Sequence, residues 1–179
     1  MSYHADGTFA VHACRALRQA PVRLALNALT TCDGALVNVS LRVKAGEIVG
    51  IAGAPGSGQR ALADACLGLR AVEGGSIRSE RPVRAIQDAA AAGITGEPSG
   101  IYIVDESTVC GEGVSARAAR HRRLRKLAEQ GAAILLISPD LDALMALSHR
   151  LPVMREGRLV AEFERPDFHE PSILEYFSH

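Results

Sequence analysis

A chain of 179 residues is long enough to bury a sizeable core as one domain, and its charges balance, with 20 Lys and Arg against 20 Asp and Glu. That balance gives no electrostatic reason to expect nucleic acid as a partner, and no apolar run reaches the length needed for direct membrane insertion. The cysteines Cys14, Cys32, Cys66 and Cys110 are scattered, with no C-x-x-C pair, paired histidine or signal-peptide core, so a zinc site and a disulfide framework are disfavoured and a soluble, cytoplasmic protein is expected.

Residues 1–20 are polar and His-dotted and read as a tail or linker, with a helix-compatible piece from Ala10 to Gln19. Residues 21–165 read as the folded domain and 166–179 as a C-terminal tail. Val22 to Leu29 and Val37 to Val43 alternate as two strands around an Asp33-Gly34 turn. Ile48 to Ala52 is a buried strand. The helix after it is expected from Arg60 to Leu69, with Leu62, Ala65, Cys66 and Leu69 on one face and Gly74-Gly75 as its stop. Ser76 to Gly100 is poorly patterned, apart from an alanine-rich run from Val83 to Ala92 that reads as one short helix. Ile101 to Val104 is an apolar strand ending in Asp105-Glu106, and Ser107 to Gly113 is a loop. Ser115 to Gln130 is a strongly basic helix, packed through Leu124 and Leu127 and stopped by Gly131. Ala133 to Ile137 is another buried strand, and Ser138-Pro139-Asp140 opens a helix with Ser138 as its N-cap. A hairpin follows, Leu151 to Met154 and Leu159 to Phe163 around Arg155-Glu156-Gly157-Arg158, then a last helical turn at Ser172 to Phe177. Apolar strands alternating with helices predict an α/β parallel sheet, with the alternating strands added at its sides.

The spacing Gly53-x-x-x-x-Gly58, between an apolar strand and a helix, is that of a phosphate loop, in which backbone N–H groups and the helix N-terminus wrap phosphate oxygens. Gly53, Gly56, Ser57, Gly58, Gln59 and Arg60 are the candidate phosphate-binding residues. Such loops continue with Lys and Ser or Thr; here the two positions are Gln59 and Arg60, so the ammonium and the metal-binding hydroxyl are replaced. In an open α/β sheet, ligands sit beyond the carboxyl ends of the strands. Asp105 is there to hold Mg²⁺ through water, Glu106 to polarise an attacking water, and Ser138, on a neighbouring strand tip, to sense the terminal phosphate. An Asp-Glu pair after a strand is by itself an ordinary solvated turn; the phosphate-loop spacing upstream tips the choice to a site.

Taken together, Gly46 to Gly53 running into Gly56-Ser57-Gly58-Gln59, then Ile103-Val104-Asp105-Glu106, Leu135-Leu136-Ile137-Ser138 with Leu141-Asp142, and Val153 to Arg158 resemble an ATP-binding-cassette ATPase. More narrowly, they resemble the second cassette of the two-cassette ATPases of bacterial monosaccharide and nucleoside importers, over residues 21 to 163. The resemblance implies a P-loop NTPase core (a parallel sheet flanked by helices, with added antiparallel β-strands), ATP and Mg²⁺ as cofactors, and Glu106 and Ser138 as catalytic residues. It implies a second cassette or a second copy of the chain as partner, a membrane permease as the docking target, and a place in the cytoplasm peripheral to the inner membrane.

The chain departs from that family in four places. The helical subdomain with its Q-loop and L-S-G-G signature is absent; only Arg78 to Gly100 fills the interval, where Ala92-Gly93-Ile94 and Glu97-Pro98 resemble a shortened Q-loop region. Asp-Glu-Pro-Thr reads Asp105-Glu106-Ser107-Thr108, the following Val109 to Gly113 lacks an Asp, and Thr30, Thr31 and Cys32 stand where an aromatic stacks on adenine. Losing the subdomain removes the family's surface for a permease. Two readings stay open: an ATP-binding relative of importer ATPases with weak nucleotide binding and little hydrolysis, and a non-catalytic interaction or regulatory module. A nucleic-acid binder built on Arg117, Arg120, Arg122, Arg123, Arg125 and Lys126 is disfavoured, because no aromatics interleave with the run; His121 and His149 read as surface or helix-end residues, and Gln59 as a loop-capping amide.

Overall fold

The computed structural model describes residues 17–86, 97–106 and 113–178. The expected features on 1–16, 87–96 and 107–112 lie outside these, namely most of the N-terminal tail, the second half of the Val83–Ala92 run, Ala92-Gly93-Ile94 and the loop after Glu106.

Two sheets make up the β structure. The smaller is antiparallel, with β1 (Val22–Thr31) central between β2 (Val39–Lys44) and β4 (Val72–Ser79). Its inward face carries Leu24, Leu26, Leu29, Val39, Leu41 and Val43, the period-2 apolar set of β1 and β2. The larger sheet has the order β5 (Val83–Ile86), β6 (Ile101–Asp105), β7 (Ala133–Ile137), β3 (Ile48–Ile51), β8 (Arg150–Arg155) and β9 (Arg158–Glu164), parallel except for β9. Strands β3, β6 and β7 are unbroken apolar runs because both of their faces are covered. Val49, Ile51, Ile101, Ile103, Leu135 and Ile137 face a core shared with the small sheet and helix α1 (Gln59–Cys66). Ile48, Tyr102, Val104, Ile134 and Leu136 face a second core. That core is closed by α2 (Val114–Glu129), α3 (Leu141–Leu147) and α4 (Glu170–Ser178). The result is three layers, with the nucleotide-motif strands in the middle.

Four expectations are corrected. Helix α1 ends at Cys66, not Leu69, in a Schellman arrangement: Gly68 N–H donates to Ala65 O and Leu69 N–H to Asp64 O. Leu69 is therefore 73% exposed rather than part of the buried face. Gly74-Gly75 does not stop a helix but lies inside β4, opposite the point where β1 changes register around Ala28. A Cβ on Gly75 would sit 2.4 Å from the carbonyl oxygens of Asn27 and Ala28, so only glycine allows this approach. Val83–Ile86 is not helical but an edge strand, pairing in parallel with β6 from Val83↔Ile101 to Ile86↔Val104. The N-cap of α3 is Asp140 rather than Ser138: Asp140 Oδ1 accepts from Ala143 N–H at 3.1 Å, while Ser138 Oγ accepts from Asp140 N–H at 3.2 Å.

Among the described residues, the interval from α1 to β6 holds two strands and no helix. The helical turn expected at Ser172 to Phe177 in the C-terminal tail lies within the longer α4, whose Ile173 is fully buried against the sheet.

Candidate functional site

Strand register assembles the predicted site. Ile51 of β3 and Asp105 of β6 both pair with Ile137 of the intervening β7, so three strands end in one row. The chain leaves that row as the phosphate loop, as Glu106 and as Ser138. With strands about 4.8 Å apart, the loop and Glu106 are separated by roughly 10 Å, with Ser138 between them.

The loop is held by its own amide and by the β8–β9 hairpin. Gln59 Nε2 donates to Gly53 O at 2.8 Å and to Ala54 O at 3.2 Å, which makes it the loop-capping amide that its side chain suggests. Gly157 N–H donates to Ser57 O at 2.9 Å, and Gly157 O accepts from Val37 N–H at 2.9 Å. Glu156 and Gly157 both have positive φ, 48° and 73°, the two-residue turn that suits a right-twisted hairpin. Gly53 runs against β8, where a Cβ would lie 2.4 Å from Met154 O. An open cavity of about 490 Å³ borders the loop, lined by Ala35, Gly56, Gly58, Arg60, Glu156 and Gly157 among others. Gly56, Gly58, Gln59 and Arg60 thus face the cavity, whereas Ser57 is buried beneath the loop. The first intrahelical bond of α1 is Leu62 N–H to Gly58 O, which leaves the N–H groups of the first turn without helical acceptors. No side chain caps them and no acidic residue stands in that turn.

Glu106 is 7% exposed, and Arg120, from the basic helix α2, is 3% exposed. Arg120 Nε donates to Glu106 Oε1 at 2.9 Å, and His121 Nε2 lies 3.4 Å from the same oxygen. Burial alone would raise the Glu106 carboxyl. The His121 contact, the Arg120 charge and the Ser138 hydroxyl outweigh it and hold the group below the ordinary carboxylate range. Glu106 and Ser138 are therefore together, as expected, while Asp105 stands half-buried at the end of β6.

Arg120 and His121 are the residues that the sequence reading missed. From the sequence, Arg120 is one cation of a basic run, and His121 reads as a surface or helix-end histidine. Helical periodicity carried the signal, because Arg120 lies one turn before Leu124 and on the stripe that continues through Leu127. His149 stands just past the C-cap of α3, in line with the helix-end reading, and is half-buried: its Nδ1 accepts from Ile48 N–H at 3.0 Å, and burial lowers its pKa.

For Mg²⁺ the donor set fits poorly. Arg60 replaces the loop hydroxyl and the Glu106 carboxylate is engaged by Arg120, which leaves Asp105 as the strand-end carboxylate of the set. The described cysteines, Cys32 and Cys66, are free thiols; burial pushes Cys66 up to about 12, which leaves it inert. Among the described residues, no helix is long and apolar enough to cross a membrane.

No family model matches the chain. The chain is 42% identical over 82 residues to a ribose import ATP-binding protein of Agrobacterium fabrum, covering 46% of this chain and 16% of that protein. It is 27% identical over 237 residues to the ribose import ATP-binding protein of Yersinia pestis, covering 86% of this chain and 46% of that one. The second alignment is longer than the whole chain, so that relative carries a segment with no counterpart here. The chain spans less than half the length of these relatives. Among solved structures, an ATP-binding subunit of an ABC transporter superposes with a TM-score of 0.73 at 15% identity, covering 88% of this chain and 100% of that one. A nucleotide-free ATP-binding cassette gives 0.70 at 13% identity, covering 88% and 99%. The chain thus has the ATP-binding-cassette fold and is related in sequence to the ATP-binding subunits of sugar importers.

Proposed function

We propose that the chain binds ATP or ADP weakly at the Gly53–Arg60 loop and hydrolyses little on its own. The observation that carries this reading is the loop itself: it keeps the backbone wrap and open first-turn N–H groups of a phosphate site, while Gln59 caps the loop where an ammonium is normal. Helix-end N–H groups and the Arg60 guanidinium are sufficient to attract a phosphate. Phosphoryl transfer needs more, because its barrier is lowered almost entirely by positioned positive charge and an oriented water. Glu106, the residue for that water, is buried and engaged by Arg120, which supports binding over turnover.

Kinship with importer ATPases further suggests that the chain works beside a second cassette or a second copy of itself. A partner carrying a signature segment would complete the nucleotide site that this chain leaves open. Titration calorimetry with ATP and ADP, paired with phosphate release by the native chain and Glu106→Gln, tests the reading. Millimolar-range binding with background release is expected. Release that depends on Glu106 refutes the loss of hydrolysis. Absence of binding at millimolar nucleotide refutes the nucleotide role and leaves the non-catalytic interaction module, which the Arg120–Glu106 pair also fits.

A further inference from the structure

We infer that this pocket takes its polyphosphate free of a divalent cation, with the Arg60 guanidinium as the counter-charge and Arg120 neutralising Glu106 in cis. The inference rests on the proposed nucleotide site and concerns which form of the ligand that site accepts.

In a metal-dependent phosphate loop the ion is held by the hydroxyl after the loop cation and by the strand-end Asp, and it neutralises the terminal phosphate oxygens. The strand-end Asp is kept as Asp105, but the hydroxyl and the charge beside that Asp fall differently here. The hydroxyl position is Arg60, an exposed residue on the cavity with no ion pair among the described residues. A guanidinium has no lone pair to offer a metal, and its fixed charge repels a cation while donating to phosphate oxygens in a fork. Beside Asp105, the Glu106 carboxylate has its charge compensated within the fold, since the side chains of Arg120 and Glu106 are only 3% and 5% exposed and share a bond at 2.9 Å. A second positive charge brought to that corner gains no free anion at Glu106 and meets a buried guanidinium. Glu156 also lines the cavity; one exposed carboxylate on a turn lacks the partners that an octahedral ion demands. The positive charge that such a site ordinarily borrows from solution is covalently built into this chain, in Arg60 at the start of α1 and Arg120 of α2, which meets Glu106.

Calorimetry of ADP and of inorganic pyrophosphate, in Mg²⁺ and again in EDTA, tests this on the intact chain. Affinities agreeing within about twofold are expected, with Arg60→Ser weakening EDTA-phase binding about tenfold and Arg60→Lys retaining most of it. A drop of more than about fivefold on removing Mg²⁺ overturns the inference. Titration of Mn²⁺ into the ¹⁵N-labelled chain without nucleotide gives an independent readout. Uniform, weak broadening supports the inference, and selective broadening of the loop and Asp105 amides overturns it. If no nucleotide binds in either buffer, the proposed function fails, while the Mn²⁺ titration still decides whether this corner holds a metal.

Discussion

Arg120→Met breaks the buried ion pair between Arg120 and Glu106. Both side chains are almost dry, and the variant keeps the aliphatic volume while removing the one guanidinium bonded to Glu106 Oε1. Removing one partner of a buried pair leaves an uncompensated charge and costs about 3–5 kcal/mol, a large share of the ~5–15 kcal/mol that holds a domain folded. Replacing both partners is nearly neutral, so Arg120→Met with Glu106→Gln should recover most of the loss, with a coupling energy of about 2–3 kcal/mol. The sign of the pH dependence follows from the direction of the shift. In the native chain the Glu106 pKa is lowered, so its contribution is fully present above the unfolded value and is lost as pH falls through the folded one. In Arg120→Met burial acts unopposed by that guanidinium and pushes the carboxyl up, so the variant's deficit should shrink as acid neutralises Glu106. Urea unfolding at several pH values, read at constant m, measures all of this. A loss below about 1 kcal/mol at neutral pH, or one that ignores pH, would mean the pair is solvated and refute the reasoning.

His149 offers a second pH signature. Burial, aided by the Arg165 charge and opposed by Glu47, lowers its pKa, and Nδ1 must stay unprotonated to accept from Ile48. The unfolded chain therefore takes up the proton first, and stability should fall as pH drops below about 6.5 until the folded value is reached; His149→Phe should flatten that segment of a Tm-against-pH curve. Gly157→Ala places a methyl 2.5 Å from Ala35 O at φ 73°, and a cost of about 1–3 kcal/mol is expected in urea, with weaker ADP binding as the Ser57 bond shifts. Asp140→Ala removes the N-cap of α3 and should cost about 1 kcal/mol by thermal melt; the half-exposed Arg117 pair adds little to that.

The legible parts of the fold were those whose own residues carry the pattern. The apolar runs of β3, β6 and β7, the alternation of β2 and the Glu156-Gly157 turn each encode their burial locally. β4 and β5 do not: most of their residues are exposed, and β4 is a strand because β1 supplies its hydrogen bonds and Gly75 its approach. Their order comes from partners distant in sequence, which a local reading cannot weigh. The candidate site divides the same way. Loop, Glu106 and Ser138 were readable as strand-tip residues because the topology of a parallel sheet brings strand ends together. Arg120 was hidden because charge at an inward helical position reads as surface until something buried is found to answer it. Ser138 was misread as a cap because Ser-Pro-Asp offers two capping side chains, and Asp140 has the reach to Ala143.

The site separates shape from charge. Its shape is fixed by bonds that involve no ligand: Gln59 across the loop, Gly157 to Ser57, and Val37 to Gly157, which ties the loop to the hairpin and both to the small sheet. These contacts are made by backbone groups and one neutral amide, so the loop geometry is independent of which cation stands nearby. Its charge is set separately, by Arg60 at the loop and Arg120 at Glu106. A substitution at Arg60 can therefore change affinity without reshaping the loop, whereas one at Gln59, Met154 or Gly157 deforms the loop while leaving its charges in place.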